Sequence, residues 1–121
     1  MWHKGKHKSA ILQNEILVKK IPNNMELINE LGINLLIYNR VDLAKEQFEK
    51  VLLMSESQNA VALCHYAFIL KTNESRLHES VDLFSKCLAS NEREVMDARF
   101  FYHLGDALQR LGRTEEVTFL V

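Results

Sequence analysis

The hydrophobic pattern is clearest between Ala98 and Thr114, where Ala98, Phe101, Leu104, Gly105, Leu108 and Leu111 recur at steps of three and four. That spacing places them on one face of an α-helix. Gly105 interrupts the face, and a glycine inside a helix costs about 1 kcal/mol relative to alanine. The Leu104-Gly105 pair therefore predicts that another helix crosses too closely to leave room for a Cβ. Gly112, after the last apolar position, predicts a helix end that needs a left-handed residue. The same period predicts a helix from Ser9 to Lys20, carried by Ala10, Leu17 and Ile21 and stopped by Pro22. Asn23-Asn24-Met25-Glu26 supplies a capping residue with a glutamate three positions on, opening a helix that runs to about Tyr38. Further helices are predicted at about Asp42 to Met54, Asn59 to Lys71 and Leu77 to Ala89. Asn91-Glu92-Arg93-Glu94 reads as another cap, with an added helical turn before Phe100. Trp2 to Lys8 is expected to be a solvated, disordered basic start. No strong run of alternating polarity predicts a strand.

These helices repeat. Leu31-Gly32 with Leu35 is followed by Ala44, Phe48 and Val51, and the order returns as Tyr66-Ala67 with Leu70, then Ser80, Phe84 and Cys87. Leu104-Gly105 with Leu108 begins a third copy. The spacings slightly exceed the roughly 34-residue tetratricopeptide period, with one extra residue in the Thr72 to Ser75 turn. The pattern predicts an all-α fold of antiparallel helix pairs stacked as a short right-handed tetratricopeptide-like solenoid. Its expected divisions are the tail 1–8, a half repeat 9–24, repeats 25–59 and 60–97, and an incomplete repeat 98–121. Ala44 is expected to meet Gly32, small against small. Asn14 stands where the half repeat calls for an aromatic. Ser55-Glu56-Ser57 replaces a closing proline. Glu115 to Val121 reads as a returning helix cut short, so the chain is expected to be a fragment or truncated product. The face of Phe101, Leu104 and Leu108 would then favour self-association.

Composition adds mainly exclusions. A net charge of −1 over 121 residues argues against nucleic acid as a ligand, which requires a concentrated cationic face. No stretch approaches the length of a membrane-spanning helix, and the basic start has no apolar segment behind it, so no targeting signal is read here. His3 and His7 lack the carboxylate or thiol that would complete a metal site. Cys64 and Cys87 fall on opposite helices of one repeat. Cys87 occupies a small, buried position, which favours packing over a disulfide, and a disulfide would require Cα atoms within about 7 Å. His103 and Asp106 place a base and a carboxylate at i and i+3, and His65 is the repeat equivalent of His103. With no activated nucleophile or phosphate-binding loop beside them, they read as a surface pair, not a catalytic site.

First helices of such repeats line a concave face. The candidate binding residues are Asn29, Ile33, Leu36, Cys64, Phe68, Lys71, Tyr102, Asp106, Gln109 and Arg110. Several runs are more specific than the repeat signature: Leu31-Gly32 with Leu35-Leu36-Ile37, Ala44-Lys45, Glu49-Lys50-Val51-Leu52, His65 to Lys71, and Arg99-Phe100 with His103 to Arg110 and Gly112. Over most of Ala10 to Glu116 the chain resembles the tetratricopeptide region of the aspartyl/asparaginyl β-hydroxylase family. Ala67 in place of a glycine, the longer turn and the end after Glu116 depart from it. The resemblance implies a non-catalytic segment that helps bind a polypeptide, either an epidermal-growth-factor-like (EGF-like) domain substrate or its own oxygenase domain. It implies an endoplasmic reticulum lumen setting through a membrane-anchored full-length protein. Iron and 2-oxoglutarate are expected only in an oxygenase domain absent from this chain. In that setting Asn73-Glu74-Ser75 is a sequon, and Asn73 a candidate glycan acceptor. The alternative is a stand-alone adaptor that clamps a peptide carboxylate. The corresponding positions hold Asn29, Ile33, His65, Arg99 and His103, of which only Arg99 suits that role.

Overall fold

The computed structural model describes residues 4–72, 76–90 and 98–112. They form α1 (Lys4–Lys20), α2 (Met25–Ile37), α3 (Val41–Met54), α4 (Ala60–Lys71), α5 (Leu77–Ala89) and α6 (Ala98–Arg110), with no strand among the described residues. The fold is all-α, as the periodicity predicts. Contacts divide the chain into two compact units, Met1–Ser57 and Gln58–Val121. The expected cap at Asn91 to Glu94, the sequon at Asn73 and the returning helix after Glu115 lie outside the described residues.

Local chemistry sets the boundaries. The Asn24 side-chain oxygen accepts the Leu27 N–H at 3.0 Å and opens α2. The cap is thus Asn24, not Asn23, and Glu26 sits in the first turn, where its charge complements the helix dipole. Asn59 opens α4 in the same way, accepting from the Ala62 N–H at 3.0 Å. Helix α1 begins at Lys4, not Ser9. Once residues from Ser9 onward have nucleated a helix, extending it backward adds about one hydrogen bond per residue, and the tail contains no proline to stop it.

The helix ends are also specific. Asn39 takes a left-handed φ of 68° after α2, and the Arg40 N–H reaches the Leu35 carbonyl at 2.8 Å. After α3, Glu56 and Ser57 are both left-handed, at 54° and 61°, and the Ser57 N–H donates to the Leu52 carbonyl at 2.7 Å. The chain thus turns without the proline that closes such repeats. Gly112, with φ 77° just beyond α6, is the left-handed terminator its position predicts.

In the first unit, α2 packs against α1 and α3. Ile28, Leu31, Leu35, Ala44, Phe48 and Val51 are buried together with Ile11 of α1. Fully burying side chains of this size contributes about 1.5–3 kcal/mol each. A Cβ on Gly32 would lie 2.7 Å from the tip of the Phe48 ring, and the atoms nearest to it all belong to that ring. Gly32 therefore makes room for the Phe48 ring. Asn14 is 4% exposed and accepts a hydrogen bond from the Asn34 side-chain amide at 2.6 Å. Where an aromatic would fill space, this unit joins α1 to α2 by a polar link, which tolerates burial because it is hydrogen-bonded.

In the second unit, the Ser80 hydroxyl donates to the Ala67 carbonyl at 2.8 Å, while Cys87 lies against Cys64. Positions rising along α5 meet positions falling along α4, so the two run antiparallel. Helix α6 then pairs His65 with Phe100 and Phe68 with His103. Both series rise together, so α6 runs parallel to α4. Phe84, fully buried on α5, contacts Phe100 and His103. This is the order expected of consecutive helix pairs in a helical repeat.

Candidate functional site

The polar chemistry of the second unit converges on Lys71, the last residue of α4. Its neighbours carry it into the protein: Ile69 and Leu70 are buried, and Lys71 itself is only 8% exposed. An ammonium that is removed from water needs partners, and α6 supplies them. Lys71 Nζ lies 2.9 Å from Asp106 Oδ2 and 2.7 Å from His103 Nδ1. Because an ammonium can only donate, Nδ1 accepts, and the neutral imidazole carries its proton on Nε2. Asp106 Oδ2 also receives Arg110 Nε at 3.2 Å. The ring of Tyr102 stands 5.9 Å from Lys71 Nζ, within reach of a weak cation–π attraction.

These contacts define the protonation states. The hydrogen bond from Lys71, reinforced by the charges of Lys71 and Arg110, holds the Asp106 carboxyl below its usual range. Burial lowers the pKa of His103, and the positive charges of Lys71 and Arg99 lower it further, against the opposing pull of Asp106. Its ring packs edge-on to Phe68, with centroids 4.8 Å apart, and stacks over Phe84 at 6.4 Å. His65 is also depressed, mainly by burial. Its Nδ1–H donates to the Val61 carbonyl at 2.7 Å and its ring meets Phe100 at 5.4 Å. Both histidines are thus neutral packing groups at the contact between α4 and α6.

The candidate binding residues now separate. Phe68, Lys71, Tyr102, Asp106 and Arg110 come together in the second unit; Gln109 lies exposed on α6 beside Arg110. Tyr102, at 69% exposure, presents the largest open aromatic surface among them. In the first unit Ile33 and Leu36 are half-buried, whereas Asn29 is buried in the core of α2. Of the carboxylate-clamp positions, Asn29 is buried, Ile33 half-buried, and His65 and His103 are occupied by packing, so Arg99 alone is exposed.

Cys64 is a correction on two counts. It is fully buried, and it forms a disulfide with Cys87, with Cα atoms 5.5 Å apart. It neither lines an accessible face nor packs as a free thiol. The antiparallel pairing of α4 and α5 sets the two residues opposite one another, inside the distance a disulfide requires.

The surface pair expected of His103 and Asp106 is instead a partly buried cluster with Lys71. Repeat equivalence aligns Lys71 with Gln109, yet its contacts fall about one helical turn earlier on α6. The signal available was the matching i, i+3 spacing of Phe68 and Lys71 with His103 and Asp106. Among the described residues no group of three or more His, Cys, Asp or Glu side chains could hold a metal ion. No chemistry through iron or 2-oxoglutarate is assigned to these helices.

No protein-family model matches the sequence. Comparison with curated proteins finds 35% identity over 111 residues to the human aspartyl/asparaginyl beta-hydroxylase, covering 92% of this chain and 14% of that protein. The mouse aspartyl/asparaginyl beta-hydroxylase is 34% identical over 111 residues, covering 92% of this chain and 15% of the relative. The resemblance carried by the Leu-Gly, F-I-L-K and H-L-G-D-A motifs is therefore shown, and nearly the whole chain is similar to a small segment of the aspartyl/asparaginyl β-hydroxylases.

Proposed function

We propose that the chain is a non-catalytic helical-repeat segment of a β-hydroxylase-like protein, contributing contacts to a polypeptide in an oxidising lumen. The observation that carries this reading is the 35% identity across 92% of the chain to a protein of which it spans only 14%. The polypeptide is an EGF-like domain substrate or the protein's own oxygenase domain. Tyr102, Gln109 and Arg110 are the exposed side chains on α6 best suited to meet it. Tyrosine and arginine are both residue types enriched at protein interfaces. The Cys64–Cys87 disulfide supports the setting, because such bonds persist in the secretory lumen and are rare in the cytosol. No described helix is long and apolar enough to cross a membrane, so the reading places no anchor in these helices.

The test is titration of an isotopically labelled chain with an EGF-like domain, followed by NMR. Saturable shifts centred on Tyr102, Gln109 and Arg110 are expected, weakened about tenfold or more in Tyr102→Ala, as for an interface residue worth over 1 kcal/mol. Absence of binding both to that domain and to an oxygenase domain would contradict the reading. Iron-dependent succinate release by this chain alone would contradict its non-catalytic part.

A further inference from the structure

The cluster at the end of α4 joins two parallel helices through a hydrogen bond that exists in one protonation state only. We propose that Lys71, His103 and Asp106 form a pH-responsive latch, closed while the His103 imidazole is neutral and released from α4 when it is protonated.

The geometry dictates the direction. Lys71 Nζ donates to His103 Nδ1 across 2.7 Å. Protonation puts a hydrogen on Nδ1, so two donors and two positive charges then face each other where one donor met one acceptor. Asp106 offers only partial relief, because its Oδ2 already receives Lys71 at 2.9 Å and Arg110 at 3.2 Å. Water cannot readily take up the displaced ammonium while Lys71 remains 8% exposed, so the strain is relieved by moving α6 from α4.

The surroundings leave His103 as the group that switches. From α4 it faces Lys71 and Phe68, and His65 of the same helix contacts Phe100 instead. On its own helix the neighbouring polar groups are Asp106, Arg99 and Tyr102. From α5 it meets the apolar Phe84, while His78, Glu79, Asp82 and Lys86 are exposed to solvent. Burial and the two nearby cations depress the His103 pKa from 6.5. The unfolded chain therefore binds the proton more readily than the folded one. The stability this confers is complete above pH 6.5 and is lost as pH falls toward the folded pKa. Each unit of depression changes the ratio of folded to unfolded protein about tenfold.

Two measurements on the 121-residue chain test the latch. The first follows the His103 ring protons by NMR from pH 8 to pH 4.5; a folded-state pKa below 6.5, with α6 amides exchanging faster on acidification than those of α5 after correction for intrinsic rates, is expected. The second compares the wild type with His103→Gln, which keeps a side-chain acceptor for Lys71 but cannot titrate. The acid-induced acceleration in α6 should disappear in this variant and persist in His65→Gln. A folded His103 that titrates at or above 6.5 overturns the proposal, as does equal α6 acceleration in wild type and His103→Gln. Should His103→Gln fail to fold, the wild-type titration and exchange profile still decide.

Discussion

The α2–α3 and α4–α5 pairs share one positional pattern and close it by different means. Gly32, Ala44, Phe48 and Val51 in the first pair correspond to Ala67, Ser80, Phe84 and Cys87 in the second, and all eight are buried. Phe48 and Phe84 each have no exposed surface, so the aromatic anchor is common to both. Around it the solutions diverge. The first pair removes a Cβ at Gly32 so that the Phe48 ring can approach. The second keeps Ala67 and ties its carbonyl to the Ser80 hydroxyl. One turn further out, the first pair buries Asn29 and Val51, where the second joins Cys64 to Cys87. The register of a helix pair is thus retained while the interaction that closes it changes from steric fit to a hydrogen bond and a covalent bridge.

The comparison breaks first at the shared anchor. Phe48→Ala and Phe84→Ala should each cost about 3–5 kcal/mol, the usual range for emptying a buried aromatic site. Chemical denaturation checks this, and a loss in only one pair would mean that the two aromatics are not equivalent. The disulfide comes next. Replacing Cys64 and Cys87 together with alanine releases a loop of sequence separation 23, which on chain entropy is worth about 3 kcal/mol. Denaturation with and without reductant should show that difference in the wild type and none in the double variant. Gly32→Ala is the smallest effect and the most diagnostic. Alanine gains about 1 kcal/mol in helix propensity, but its Cβ would stand 2.7 Å from a ring that has no exposed surface. Overpacking costs about 1–3 kcal/mol, so the variant should be slightly destabilised. A more stable Gly32→Ala would show that the glycine is not required by Phe48.

Helix ends were legible because they rest on short-range chemistry. Asn59 caps α4 and Gly112 closes α6 at positions readable from the residue type and its place in the period. The cap of α2 falls one residue later than the spacing to Glu26 predicts, because Asn23 and Asn24 offer the same side chain. The identity of what faces what was less legible. The period marks Gly32 as a small position but does not name Phe48 as the residue that fills the space it leaves. The period places Cys64 and Cys87 on opposite helices, but it carries no distance between facing positions and so does not reveal the bond that forms. The candidate site was half legible for the same reason. Its members Phe68, Lys71, Tyr102, Asp106 and Arg110 followed from helical faces. The offset of about one turn that brings Lys71 to His103 and Asp106 is a matter of tertiary packing, which no local pattern encodes.

The disulfide is where the helix packing, the difference between the two pairs and the proposed lumenal setting meet, and it can be tested directly. The chain, expressed through the secretory pathway, would be alkylated without reductant, digested and analysed by mass spectrometry. The account predicts a single linked species joining the peptide that contains Cys64 to the peptide that contains Cys87, with neither thiol alkylated before reduction. Recovery of both cysteines as free, alkylated thiols would contradict it.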